Sequence, residues 1–257
     1  MLLSRASDRP RVVVYGDDWT LASEVSGLVA ARWLNVSVEF VPGFVNLVQA
    51  LQEDPSAGVL LCLRAHEHIP VLDALRPLIR GRVVRVVSST VWYSDRVVLH
   101  ALGYRPAEKP EVLLETQTKA FRHRAENECF LDGFMDELVR QGGRKQPELV
   151  CAGEMSSRRT AALLCDIRRT AVMMLPPELP EGQWLVLCYF AQGLRGKEVA
   201  MITGLQEKTV SLYKRWALVA LGMEEVRSVL PLYRGVLVRE ALQCYPAGIC
   251  LTEAVYA

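Results

Sequence analysis

The run Gly58-Val59-Leu60-Leu61-Cys62-Leu63 constrains the fold more than any other part of the chain. It is apolar at every position rather than at alternate ones, and it is bounded by Pro55 and by the polar stretch 64–68. A short strand that is apolar on both faces belongs to a parallel sheet covered by helices. Parallel strands need crossover connections, and the flanking sequence supplies them. Val12, Val13 and Val14 form a β-branched strand within 11–16, and Leu21, Val25, Leu28 and Val29 then recur at helical spacing within 19–33. The alternation continues with strands at 36–41, 83–87 and 103–106, and with helices at 44–51, 69–79 and 93–102. Five strands spaced in this way predict a doubly wound α/β domain over 8–115. In such a sheet the working groups sit beyond the carboxyl ends of the strands.

At 257 residues the chain has room for two domains, and 51% hydrophobic with 23% charged residues is a globular composition. No apolar run reaches the roughly 18 residues of a membrane span. Arg5, Asp8 and Arg9 stand where a signal peptide would be apolar. Seven cysteines without a C-x-x-C pair fit a reducing compartment, so a cytoplasmic protein without membrane association is expected. A net charge of +1 gives no basic footprint, and composition alone does not point to nucleic acid.

The strand ends carry polar residues in a definite order. Asp17 and Asp18 end the first strand, Ser88, Ser89 and Thr90 end the fourth, and Lys109 and Pro110 follow the fifth. This set resembles the receiver domain of two-component response regulators. The resemblance implies an acidic pair that holds Mg²⁺, a Ser or Thr that senses a phosphoryl group, and a Lys that pairs with it. It also implies an Asp nucleophile at the end of the third strand, where this chain has Cys62. A thiol cannot form the acyl phosphate, and Leu61, Leu63 and Arg64 offer no carboxylate in its place. Losing one oxygen ligand also weakens a Mg²⁺ site left with Asp17 and Asp18. The expectation is a pseudo-receiver without phosphotransfer activity, metal or cofactor, in a protein that is not an enzyme. Asp17 and Asp18 serve equally well as a helix N-terminal cap, worth up to ~2 kcal/mol. A redox role for Cys62 needs an electropositive setting that the two carboxylates oppose, so it reads as a small buried hydrophobe. His66-Glu67-His68 has no third ligand near it in sequence and reads as a polar loop.

A helical connector is expected over 116–175. Phe121, Phe130, Leu131, Phe134 and Leu138 recur at helical spacing, and Gly142 and Gly143 mark a break near 141–147. A second amphipathic stretch at 161–167 is flanked by Arg158, Arg159, Arg168 and Arg169, which read as a solvated face or as phosphate contacts. These helices also offer a dimerisation element.

From 179 to 223 the chain divides into three helical stretches separated by breaks at 192–195 and 203–206. The last two have helix-turn-helix spacing, with a turn around Gly204. The segment closely resembles the helix-turn-helix domain of LuxR-type regulators through Ala191-Gln192-Gly193-Leu194, Lys197-Glu198-Val199-Ala200, Gly204-Leu205, Glu207-Lys208-Thr209-Val210 and Leu221-Gly222-Met223. It departs from that family at Pro180, Gln183 and Gln206, where capping Thr, Glu and Ser are usual, and at Tyr213, where a His is common. Lys214-Arg215 resembles the Rcs-type subgroup. An all-α DNA-binding domain is therefore expected over 176–257.

Helical phase sets the expected roles. Val210, Ala217, Leu218 and Leu221 should face the core, leaving Ser211, Leu212, Lys214 and Arg215 for the major groove. Arg215 or Lys214 would read guanine and Leu212 a thymine methyl, while Lys197, Lys208 and Thr209 would meet phosphates. Trp216 is expected to pack. A further helix at 224–242 would make dimer contacts by the same resemblance, and 244–257 has no assigned role. The expected function is a transcription regulator that binds double-stranded promoter DNA without Asp phosphorylation. It would act as a homodimer or a heterodimer with another regulator, with RNA polymerase a further possible partner. Two alternatives are a ligand-sensing regulator of the acyl-homoserine-lactone type, which needs an enclosed apolar pocket, and an auxiliary partner of another regulator.

Overall fold

The computed structural model describes residues 9–110, 130–141, 157–176 and 179–223. The helix expected at 224–242, the segment 244–257, the break after residue 141 and the first part of the connector lie outside the described residues. The chain divides into two compact units, one comprising Met1–Val91 and Leu102–Met155 and the other Trp92–Ala101 and Ser156–Ala257. In this division residues 130–141 of the expected connector fall in the first unit and Trp92–Ala101 of the α/β stretch in the second.

In the first unit, β1 (Arg11–Gly16), β2 (Ser37–Val41), β3 (Gly58–Cys62) and β4 (Val84–Val87) form a parallel sheet in the order β2-β1-β3-β4. Helices α1 (Trp19–Arg32), α2 (Phe44–Glu53) and α3 (Ile69–Ile79) cross between them, and α4 (Tyr93–Leu102) follows β4. Every residue of β3 is buried, as an unbroken apolar run requires. Val12, Val14, Leu60, Cys62 and Val87 share one core with Leu21, Ala22, Val25 and Val29 of α1. Arg82 ties two helix ends together, donating to the carbonyls of Leu78 and Asp54 at 2.7 Å each and of Leu51 at 2.5 Å.

That core is completed by α5 (Phe130–Gln141), which was expected in the connector. Leu131, Phe134, Met135 and Leu138 lie on one helix face and are all buried in it. Charges fix the helix at both ends, with Arg32 to Asp132 at 2.5 Å and both Arg85 and Arg105 to Glu137 at 2.9 Å. Burial alone would raise the Glu137 carboxyl, but the Arg85 hydrogen bond and the two guanidinium charges outweigh it and hold the carboxyl below its usual range.

The fifth strand expected at 103–106 does not form. The segment meets the sheet only at Glu108, in a parallel bridge to Val87, where Glu108 N–H donates to Val86 at 2.8 Å and Ser88 N–H donates to Glu108 at 3.0 Å. Pro106 has no N–H for a ladder and restricts Arg105 before it, and Pro110 ends the stretch on the other side.

The second unit is helical: α4 together with α6 (Ser157–Met173), α7 (Glu181–Ala191), α8 (Gly196–Thr203) and α9 (Glu207–Ala220). On α6, Leu163, Ile167 and Ala171 are buried at helical spacing, while Arg158, Arg168 and Arg169 are exposed as a solvated face. Val186, Tyr189, Val199 and Val210 join α7, α8 and α9 in a small core, flanked by Phe190, Leu205 and Tyr213. No described helix is long and apolar enough to cross a membrane.

Candidate nucleic-acid interface and strand-end pocket

At the carboxyl ends of the strands, the register sets Cys62 beside both Gly16 and Val87. The approach of β1 to β3 is so close that a Cβ at Gly16 would lie 2.1 Å from the Cys62 carbonyl oxygen, which leaves glycine as the residue that fits. Beyond this point lies a half-open pocket of about 190 Å³ lined by Asp17, Asp18, Arg64, Glu67, Ser88 and Ser89, with Leu21 and Leu63.

The two acidic residues are already engaged. Asp18 Oδ1 accepts the Leu21 N–H at 3.1 Å as the N-terminal cap of α1. Asp17 Oδ1 accepts the Asp18 N–H at 3.0 Å, and Asp17 Oδ2 faces His68 Nε2 at 3.4 Å. The other imidazole nitrogen of His68 lies 3.0 Å from the Arg64 carbonyl oxygen. Arg64 reaches Glu67 at 3.3 Å, so the pocket carries its own cation. Ser88 is buried and donates its hydroxyl to the Thr90 carbonyl at 3.0 Å.

Cys62 lies beneath the pocket, fully buried in the core. Burial first, then the charges of Asp18 and Asp17, push its thiol up to about 12, so it stays protonated and is no nucleophile. Lys109 is not among the pocket-lining residues.

This donor set does not fit the Mg²⁺ that a receiver fold implies. One carboxylate caps a helix, the other faces an imidazole, the third ligand position holds a buried thiol, and a guanidinium stands alongside. No cluster of three or more His, Cys, Asp or Glu among the described residues could hold a metal ion. The fold brings Asp17, Asp18 and Ser88 to one pocket and adds Arg64 and Glu67 to its lining, with His68 against Asp17. The signal was available for Arg64, since the residues just past the end of a central parallel strand open into its crevice.

In the second unit, α8 and α9 flank the turn at Gly204, which takes a left-handed φ of 68°. Glu198 Oε2 accepts the Arg195 N–H at 2.5 Å and closes the start of α8. Neither Pro180 nor Gln206 supplies a side-chain cap, as their residue types foretold. The end of α9 is a Schellman closure, with Met223 N–H donating to Leu218 at 2.9 Å and Gly222 N–H to Val219 at 2.8 Å. Gly222 adopts the left-handed φ of 63° that this closure needs, which gives Leu221-Gly222-Met223 a physical reason.

Val210, Ala217, Leu218 and Leu221 are buried, as phase required. The outward face of α9 carries Lys208, Ser211, Leu212, Arg215 and Val219, spaced by three and four residues and all exposed. Thr209 is half-buried, and Lys197 is exposed on α8. Lys214 departs from its expected groove position. It lies on the inner side of the helix with its Nζ 5.1 Å from the centre of the Phe190 ring, and burial lowers its pKa. Trp216, expected to pack, stacks on Tyr213 with ring centres 6.0 Å apart, yet remains 47% exposed.

No protein-family model matches the chain, and no curated protein matches it in sequence. Three solved structures are similar to it over most of its length. The response regulator RcsB in complex with DNA is 17% identical, covering 89% of this chain and 100% of that one, with a TM-score of 0.44. StyR is 18% identical, covering 90% and 98%, with a TM-score of 0.34. FixJ from B. japonicum is 13% identical, covering 91% and 98%, with a TM-score of 0.37.

Proposed function

We propose that this protein is a sequence-specific transcription regulator of the LuxR type, built as an atypical response regulator whose receiver-like unit works without Asp phosphorylation. The observation that carries the reading is the α8–turn–α9 unit, with Lys208, Ser211, Leu212 and Arg215 on one exposed face. An α-helix of this kind enters the major groove of B-DNA, where base edges distinguish all four base pairs. Arg215 takes the guanine-reading role alone, because Lys214 is drawn back against Phe190. Leu212 meets a thymine methyl, while Lys197, Lys208 and Thr209 meet phosphates. The first-turn N–H groups of α9, left without a side-chain cap by Gln206, are further donors for a phosphate oxygen.

The strand-end pocket supports the second half of the reading. A buried, protonated Cys62 at the acceptor position and an internal Arg64 cation support a unit that takes up neither a phosphoryl group nor Mg²⁺. The charged lining also disfavours an apolar signal ligand in this pocket. The protein acts in the cytoplasm as a non-enzymatic homodimer, or as a heterodimer with another regulator. Dimerisation doubles the phosphate contacts of a chain whose net charge is only +1. RNA polymerase is the expected downstream partner.

The test is genome-wide mapping of sites bound by the full-length protein, followed by gel shifts on a recovered site. Arg215→Ala should weaken binding by about 1–3 kcal/mol and relax the preference at one base pair. Acetyl phosphate with Mg²⁺ should leave affinity unchanged. Unaltered footprints in the variant refute its base-reading role, and a phosphate-dependent gain refutes the pseudo-receiver.

A further inference from the structure

The Schellman closure of α9 leaves backbone acceptors unused. It consumes the carbonyls of Leu218 and Val219, and the Leu221 N–H takes that of Ala217. The carbonyls of Leu221 and Gly222 point away from the helix, and both are taken by Arg96 of α4. Nη2 donates to Leu221, and Nη1 donates to Gly222 at 3.3 Å. Gly222 is required by its left-handed φ of 63°, and a Cβ there would lie 2.9 Å from Nη1, a contact that a small shift of the guanidinium end relieves.

Arg96 is itself held in place. On the same helix Val97, Val98 and Leu99 are buried, and Tyr93 retains only 2% of its surface. The Tyr93 hydroxyl donates to the Ala171 carbonyl of α6. Asp95 Oδ2 accepts the Trp92 N–H at 2.8 Å and fixes the start of α4. Burial lowers the Arg96 pKa, against the opposing charges of Tyr93 and Asp95. A guanidinium that gives up water and meets two carbonyls is a directed contact, and its loss strands those acceptors.

We propose that Arg96 is a positioning residue for DNA recognition, a donor from outside the helix-turn-helix segment that fixes the last turn of its reading helix. This rests on the DNA-binding reading of α9, but the contact itself is measurable without DNA. The contact joins the end of the helix that carries Arg215 and Val219 to a side chain over a hundred residues earlier in the chain.

The experiment compares the full-length protein with its Arg96→Ala and Arg96→Lys variants by backbone hydrogen exchange, and by affinity for a duplex selected from a random pool with the wild type. Arg96→Ala should speed exchange in 218–223 by about tenfold and weaken the selected duplex by a similar factor. Peptides from β1 and β3 should be unchanged. Arg96→Lys, which can still serve one carbonyl, should recover part of both effects. Unchanged exchange at 218–223 in Arg96→Ala overturns the proposal. So does a lysine variant that is no better than alanine at this segment. If Arg96→Ala unfolds throughout, the lysine variant decides, and a uniform rise in its exchange with no excess at 218–223 likewise overturns the proposal. If the wild type selects no duplex, the DNA reading fails, and a positioning role in recognition fails with it even where the cap persists.

Discussion

Replacing Cys62 by Asp would restore the residue type that the receiver resemblance calls for, and the structure indicates that doing so harms the protein. The side chain at this position has no solvent exposure and packs among Val12, Val14, Leu60 and Val87. The existing thiol is already driven up to about 12 by burial and by Asp18 and Asp17. A carboxyl in the same place meets the same forces, and buried carboxyls shift upward by about 3 units or more. At about 1.4 kcal/mol per unit, ionising it costs about 4 kcal/mol at neutral pH, much of the stability of an ordinary domain. The sign follows from linkage. The folded-state pKa is raised, so the penalty is absent below the unfolded value of about 4, grows as pH rises, and levels off above the folded value. Equilibrium urea unfolding of the wild type, Cys62→Asp and Cys62→Ala between pH 4 and 8 would show this. The alanine variant should lose about 1–2 kcal/mol with little pH dependence, while the aspartate variant diverges from it as pH rises. An aspartate variant as stable as the wild type at pH 7, or one stabilised by millimolar Mg²⁺, would refute the reasoning, because the site would then be open to water and cation.

Two further predictions concern the same unit. Glu137, held below its usual range by Arg85 and Arg105, contributes stability above its unfolded pKa near 4.5 that is lost as pH falls through the lower folded value. Glu137→Gln should therefore cost about 1–3 kcal/mol at pH 7 and flatten the acid limb of the stability profile, and an unchanged acid limb would count against the clamp. Gly16→Ala should lower the urea midpoint of the first unit by an amount equivalent to about 1–3 kcal/mol, because the added carbon meets the Cys62 carbonyl; wild-type stability would contradict the close approach of β1 and β3.

Where local pattern and tertiary role coincide, the sequence was readable. The unbroken apolar run of β3 could only be a covered parallel strand, and α3 and α4 end where their periodicity ends. The fifth strand did not form because continuing the strand–helix alternation to 103–106 takes no account of the N–H that Pro106 lacks. The destination of α5 was not legible either. An apolar stripe states that a helix face will be buried, and gives no information on which partner buries it. The contact of Lys214 with Phe190 was not legible, because a long aliphatic stem lets a charged residue pack on an aromatic ring from an inward position. The role of Arg96 was not legible because its partners are backbone carbonyls brought near only by folding.

The helix α4 has a consequence for anyone dividing this protein into pieces. A fragment beginning at 176, where the sequence alone would place the cut, omits α4 and the Ala171 carbonyl of α6. One beginning at 156 regains α6 but still lacks Tyr93 and Arg96. No contiguous stretch therefore contains the second unit without also carrying residues of the first. Gene fusions and domain swaps that treat the two halves as interchangeable modules would sever a helix from the body it belongs to, and a defect in a shortened chain would report that loss rather than a property of α9.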